Sequence, residues 1–314
     1  MSTAWLFPGQ GAQSVGMAKD VVAVSAAARE VFARADEALG EPLSHLILEG
    51  PEDALTLTAN AQPAIVATSC ALLAAIRERV PNLPLPAFGA GHSLGEYTAL
   101  VAAGALTLED AVRLVRARGL AMQDAVPSGT GAMAAVMGLE PAKLLELCAV
   151  AAAERNEVVS PANFNAPGQI VVAGHAGAVA RVSDLVAAEK GKAIALKVSA
   201  PFHCALMAPA ARVLAERLGA VAVKPLLFPI VANLDAKPNH DAARVKELLV
   251  GQVDGAVRWE ESVRAMAAAG VDRALEIGPG RVLAGLVKRI AKEVRVLSVG
   301  DAAALDQVAA FLAG

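Results

Sequence analysis

Apolar residues fall along this chain in two kinds of stretch. Short continuous runs stop at glycine or proline, and longer segments repeat an apolar position every three or four residues. TAWLF (3–7) is such a run, halted by PGQG, and predicts a buried strand. SAAAREVFARADEALG predicts a helix with Ser25 as N-cap and Gly40 as its stop. QPAIVATSCALLAAI predicts a buried helix opening at Pro63, and LPAFGAG a strand leading to a serine turn. EYTALVAAGAL is helical, and the next helix opens at TLED, where Thr107 and Asp110 make a capping-box-like start.

The pattern changes at VPSGTG. From 131 to 198 the order is strand, helix, strand, strand, helix, strand: AMAAVMGL, PAKLLELCAVAAAE, VVSPANF, IVVAG, AVARVSDLVAAEK and KAIALKV, with Asn165–Gly168 as the central turn. This βαββαβ order is that of a ferredoxin-like unit. After it the longer alternation resumes, with LLFPIVANL and RALEIGPG as strands and VRAMAAAG and VLAGLVKRIAK as helical segments. The expected fold is α/β: a large domain (1–127 and 199–314) with a mostly parallel sheet, and an inserted ferredoxin-like small domain (128–198).

Composition narrows the function. The 314 residues are 55% hydrophobic and carry a net charge of −3, which argues against disorder and against a nucleic-acid-binding surface. Cys70, Cys148 and Cys204 show no metal-ligand spacing, and an odd, scattered set suits a reducing cytosol. The longest charge-free stretch, between Asp53 and Arg77, holds Asn60, Gln62 and Pro63 and reads as a core helix rather than a membrane span. The N-terminus has neither the basic nor the apolar region of a signal peptide.

Chemistry concentrates at Gly91-His92-Ser93-Leu94-Gly95. A Gly-x-Ser-x-Gly turn between strand and helix can lift a serine hydroxyl clear of a sheet and aim the next amide, that of Leu94, at a developing oxyanion. An ordinary glycine loop fits the same five residues. A base is needed, and five histidines are available. His92 adjoins the serine, but neighbouring side chains on a tight turn diverge. His45, in LSHLI, reads as structural or exposed, His175 lies at a strand end of the small unit, and His240 lies in a polar loop. His203, in SAPFHCALM, lies where the inserted unit returns to the large domain and a cleft forms, although taken alone a buried structural histidine fits there better. At about 100° per residue, Arg118 falls in the middle of the apolar stripe Ala111, Leu114, Val115 and Met122. A guanidinium there needs a buried anion: a core carboxylate or a substrate carboxylate. PGQGAQ (8–13) fits a dinucleotide loop badly, because Ser14 stands where the third glycine belongs. It fits better as a loop bringing the Gln10 amide to an acyl carbon.

Together FPGQGAQ (7–13), QPA (62–64), GHSLGEY (91–97), RG..MQ (118–123), PSGTGAMAAV (127–136), NFNAPGQIVVAG (163–174), PFH (201–203) and EIGPGRVL (276–283) resemble the malonyl-CoA:acyl-carrier-protein transacylase family nearly end to end. The resemblance implies a large domain like that of the α/β-hydrolases, with Ser93 as nucleophile and His203 as base. It implies that the backbone carbonyl of Gln252 orients His203, that Gln10 and Leu94 supply oxyanion amides, and that Arg118 binds the malonyl carboxylate. Gln62 and Asn163 match polar positions near the pocket.

The implied reaction moves malonyl from malonyl-CoA to the phosphopantetheine thiol of acyl carrier protein, with no resident cofactor or metal, in the cytoplasm and as a monomer. A freestanding polyketide-synthase acyltransferase, a malonate decarboxylase transacylase component, a serine esterase and a non-catalytic nucleotide-binding module are the competing readings. Lys190, Lys192 and Lys197, or Lys288, Arg289 and Lys292, are candidates to meet an acidic carrier.

Overall fold

The computed structural model describes residues 2–313. Its strands are β1 (Thr3–Phe7), β2 (Phe88–Gly91), β3 (Gly131–Met137), β4 (Val159–Ala166), β5 (Gln169–His175), β6 (Lys192–Ala195), β7 (Ile230–Val231), β8 (Pro238–Asn239), β9 (Arg273–Ile277) and β10 (Arg295–Val299). They form two sheets. The first has the order β10-β9-β1-β2-β7-β8, parallel throughout except for the antiparallel β7–β8 edge. β1 lies at its centre. Trp5 and Phe7 enter the core on one face, and Ala4 and Leu6 enter a second core on the other. A strand covered on both faces must be apolar at its buried positions, as Ala4–Phe7 are. Burying each large side chain contributes about 1.5–3 kcal/mol.

The second sheet, β4-β5-β3-β6, is antiparallel. The helices Pro141–Ala153 and Ala176–Ala188 complete the βαββαβ order. Ile170 and Val172 of β5 face those helices. The alternate residues Val171 and Ala173, with Met133 and Ala162, pack on Cys204 together with Phe202 and Leu206. The sheet's other face therefore supports the loop that carries His203.

Two helix starts follow the expected capping chemistry. Ser25 accepts a hydrogen bond from the Ala28 amide at 3.1 Å, and Thr107 accepts from the Asp110 amide at 3.0 Å. Gly40 ends the helix Ala26–Leu39 in the left-handed region at φ 68°.

Other expectations are corrected. The charge-poor helix runs Thr58–Arg79, with Pro63 inside it rather than at its start. Gly119, on the helix Leu108–Asp124, explains how that segment is held, because a Cβ there would lie 2.8 Å from the Ala59 Cα. The close crossing supports the turn that Pro63 leaves without one hydrogen bond. By length and hydropathy this helix could span a membrane, yet 89% of its most apolar window is buried inside the protein, as a core helix would be.

LLFPIVANL supplies only two strand residues. Its first part is tied elsewhere, with the Leu227 amide bonding to the Ala103 carbonyl at 2.9 Å. β6 is shorter than KAIALKV because the Val198 amide turns back on the Leu196 carbonyl at 3.1 Å, bending the chain toward His203. β10 was not anticipated, although RVLSV is an apolar run of strand length.

Candidate active site

The strands β1 and β2 are parallel neighbours, so their carboxyl ends open on the same edge of the sheet, and that edge is where ligands meet open α/β sheets. PGQG leaves β1 there, and the serine turn leaves β2. Small residues let the two loops close on each other. A Cβ on Gly91 would lie 1.9 Å from the Gly95 carbonyl carbon, and one on Gly95 would lie 2.2 Å from the Phe7 carbonyl oxygen. In each case the obstacle is backbone, which cannot rotate away. Gly95→Ala is therefore expected to destabilise the fold by about 2–3 kcal/mol, read as a lower urea midpoint at unchanged slope. An unchanged midpoint would mean that the two loops part freely.

Ser93 sits in the turn at φ 53°, a left-handed backbone that costs about 1–3 kcal/mol for a side-chain-bearing residue. Its Oγ lies 2.7 Å from the His203 Nε2. His203, also left-handed at φ 60°, has its Nδ1 2.8 Å from the Gln252 carbonyl oxygen. A carbonyl only accepts, so Nδ1 carries the proton and Nε2 is left to accept from the serine. His203 is 4% exposed. Burial first, then the nearby Arg118 charge, pushes its pKa down to about 3, so the ring is neutral at physiological pH.

Arg118 is 2% exposed and makes no salt bridge among the described residues. Its partners are neutral oxygens. Nη1 donates to the Gln62 Oε1 at 2.7 Å, and Nη2 donates to the Gln252 Oε1 at 2.8 Å and to the Ser93 Oγ at 3.0 Å. Its Nε has no acceptor. Burial holds its pKa below the usual guanidinium value. Arg113 and Arg116 lie on the other side of the helix. Arg113 donates to the Ala38 carbonyl, and Arg116 bonds to Asn60 and pairs with Glu41.

The cleft between these groups is a cavity of about 390 Å³ lined by Gln10, Gln62, Ser93, Arg118, Asn163 and His203, among others. Leu94 lies behind it as N-cap of the helix Gly95–Ala102. The backbone amides of Leu94 and Gln10 have no acceptor among the described residues. The Gln10 side chain is engaged separately, its Oε1 accepting from the Thr58 hydroxyl at 2.7 Å. Asn163 is brought in by β4, which a bridge to Val257 ties to the large sheet's helical layer.

The other histidines stand apart from the serine hydroxyl. His92 turns away to the Asn165 Oδ1 at 2.8 Å, and His175 accepts from the Val158 amide at 2.9 Å. Of the basic clusters, Lys197 lines the cavity, whereas Arg289 is committed to Gln169 and the Pro167 carbonyl. Among the described residues no three His, Cys, Asp or Glu side chains group as metal ligands.

Three participants escaped the sequence reading. They are Glu96, Asn233 and the side chain, rather than the backbone, of Gln252. Glu96 had a signal, because it is a lone carboxylate in the apolar EYTALVAA helix, as Arg118 is a lone cation in its own. Burial raises its pKa to about 7.

The acyl transferase domain family matches residues 4–308. A malonyl CoA-acyl carrier protein transacylase of Bacillus subtilis is 47% identical over 300 residues, which cover 95% of this chain and 93% of that protein. The crystal structure of an acyl-carrier-protein S-malonyltransferase from Bartonella henselae superposes with a TM-score of 0.96 at 44% identity, covering all of both chains. A malonyl-transacylase in complex with its type II PKS acyl-carrier protein superposes with a TM-score of 0.95 at 42% identity, again over the whole of both chains.

Proposed function

This chain belongs to the acyl transferase family, in its malonyl-CoA:acyl-carrier-protein transacylase branch, and on that premise we propose how its own residues move a malonyl group from coenzyme A to a carrier-protein thiol. The observation that carries the reading is the Ser93 hydroxyl, which touches a neutral imidazole at 2.7 Å and a buried guanidinium at 3.0 Å.

His203 takes the Ser93 proton at Nε2 as Oγ attacks the thioester carbonyl of malonyl-CoA. The Gln10 and Leu94 amides receive the oxyanion, each such donor contributing about 3 kcal/mol. As the C–S bond breaks, the proton on Nε2 passes to the departing coenzyme A sulfur, leaving malonyl-Ser93. The carrier's phosphopantetheine thiol then gives its proton to His203 and attacks the ester, and collapse returns that proton to Oγ. Arg118 holds the malonyl carboxylate, and Gln62 and Asn163 border the acyl group. One thioester is exchanged for another, so the sequence of steps balances with no resident cofactor, metal or ATP.

The site residues, the division into 1–127 with 199–314 and 128–198, the monomeric state and the cytoplasmic setting are parts of this reading. A carrier of polyketide synthesis is the second reading for the acceptor, favoured by the 42% identical complex. The test is to supply malonyl-CoA with holo carrier or with carrier lacking phosphopantetheine. Malonyl-carrier should form with the holo form alone, with ping-pong kinetics. Hydrolysis outrunning transfer would mean a serine esterase instead.

The pH profile follows from His203. Only the neutral ring is a base, and a lowered pKa keeps it neutral further into acid. With malonyl-CoA, kcat/KM is therefore expected to stay level down to about pH 5, whereas an unperturbed histidine would halve it near pH ~6.5. A limb near the ordinary value would show that His203 is solvated in the free enzyme.

A further inference from the structure

The nucleophile's own peptide groups are gripped by side chains. The Ser93 N–H donates to the Asn233 Oδ1 at 2.7 Å, and the Ser93 carbonyl accepts from the Gln252 Nε2 at 2.9 Å. Asn233 is fully buried, and its Nδ2 donates to the Gly91 carbonyl at 2.7 Å, so one amide spans the turn on both sides of His92. Gln252, also fully buried, spends its other end on Arg118. Both residues are held by Glu96. Its Oε2 accepts from the Asn233 backbone N–H at 2.9 Å and from the Gln252 Nε2 at 2.8 Å.

An amide side chain can be turned over with little change of shape, exchanging oxygen for nitrogen. A turned Gln252 would aim N–H at the Arg118 guanidinium and oxygen at Glu96 and the Ser93 carbonyl, and every one of those contacts would be repulsive. A carboxylate oxygen at Glu96 admits only the orientation seen.

We propose that Glu96 and Asn233 are positioning residues: Asn233 holds the left-handed turn at Ser93, and Glu96 orients Gln252 so that Arg118 and Ser93 are set together. The roles of Ser93 and Arg118 are those of the proposed function. The two residues should fail differently. Loss of Asn233 disturbs the nucleophile alone, and loss of Glu96 disturbs the nucleophile and the carboxylate site together. The raised pKa of Glu96 agrees with its burial among neutral amides.

The experiment uses the full chain and three readouts: Ser93 labelling by a neutral fluorophosphonate, acylation by malonyl-CoA and acylation by acetyl-CoA. Asn233→Ala is expected to slow all three by roughly tenfold or more, as small misplacements of a reacting atom do, with the malonyl/acetyl ratio unchanged. Asn233→Asp restores an acceptor for the Ser93 N–H but puts an oxygen in place of the donor to the Gly91 carbonyl, so it should recover part of the labelling. Glu96→Leu should slow all three and also cut the malonyl/acetyl ratio, by about tenfold. Glu96→Gln, still an acceptor, should recover most of both. If Glu96→Leu does not fold, Glu96→Ala carries the same expectation with less crowding. Equal labelling of the Asn233 alanine and aspartate variants, or a wild-type ratio in Glu96→Leu, overturns the proposal. A wild-type protein that malonyl-CoA does not acylate would instead refute the malonyl reading, and fluorophosphonate labelling would still judge Asn233.

Discussion

Ser93→Ala gains no mass after brief mixing with malonyl-CoA, while the wild-type protein gains one malonyl group and releases coenzyme A: this is the largest effect expected of any single substitution here. In the proposed mechanism the oxygen bonds to the acyl carbon, so its removal leaves nothing to carry the ester. The fold should survive. Alanine meets the same left-handed backbone as serine at φ 53°, and the Ser93 N–H and carbonyl keep their bonds to Asn233 and Gln252. Intact-protein mass spectrometry with a thermal melt on the same sample separates loss of chemistry from loss of fold. An adduct on the alanine variant would move the nucleophile elsewhere. No adduct on the wild type would require a different acyl donor.

The second large effect is one of choice. Arg118→Ala is expected to lower kcat/KM for malonyl-CoA by roughly 10²–10³-fold, as truncating one member of a buried, hydrogen-bonded charge pair costs about 2–5 kcal/mol. Acetyl-CoA brings no carboxylate and should lose far less, so the preference between the two collapses. The unliganded site explains the size of the effect. Gln62, Gln252 and Ser93 accept from both Nη atoms while Nε has no acceptor and the charge no ionic partner, so an arriving carboxylate meets a full positive charge in a buried setting. Stability should change little, because a buried cation without an ionic partner does not favour the folded state. Competition kinetics with both thioesters checks this, and an unchanged preference would remove Arg118 from the carboxylate site.

Much of this arrangement was legible before any coordinates. Ala4–Phe7 are all apolar because both faces of the strand are covered, and such a run can be read without knowing its neighbours. Arg118 was legible because helical projection is local: its place on an apolar stripe does not depend on what lies opposite. The ferredoxin-like order was legible from alternating periodicities. What was not legible depends on partners distant in the chain. LLFPIVANL has the composition of a long strand, but Leu227 is captured by the end of another helix. Pro63 marks a helix start by local rules, and the crossing at Gly119 overrides them. Asn233 carries no signal, since an asparagine after a strand reads as an ordinary loop residue and its value lies in reaching Gly91 and Ser93. Gln252 was assigned through its backbone because the family resemblance pointed there. Only the folded chain shows its side chain joining the Arg118 guanidinium to the Ser93 carbonyl.

The sequence separations in the site bear on when activity arises. Ser93 and His203 are 110 residues apart, His203 and Gln252 a further 49, and the Gln252 side chain reaches back 159 residues to the Ser93 carbonyl. Contacts of such span form late, after the loops between them have closed. During synthesis Ser93 emerges long before His203, its proposed base, and His203 before the Gln252 carbonyl that its Nδ1 faces. On the proposed mechanism a partly made chain therefore holds an ordinary, unreactive serine, and reactivity toward thioesters is expected to switch on only as the whole architecture assembles.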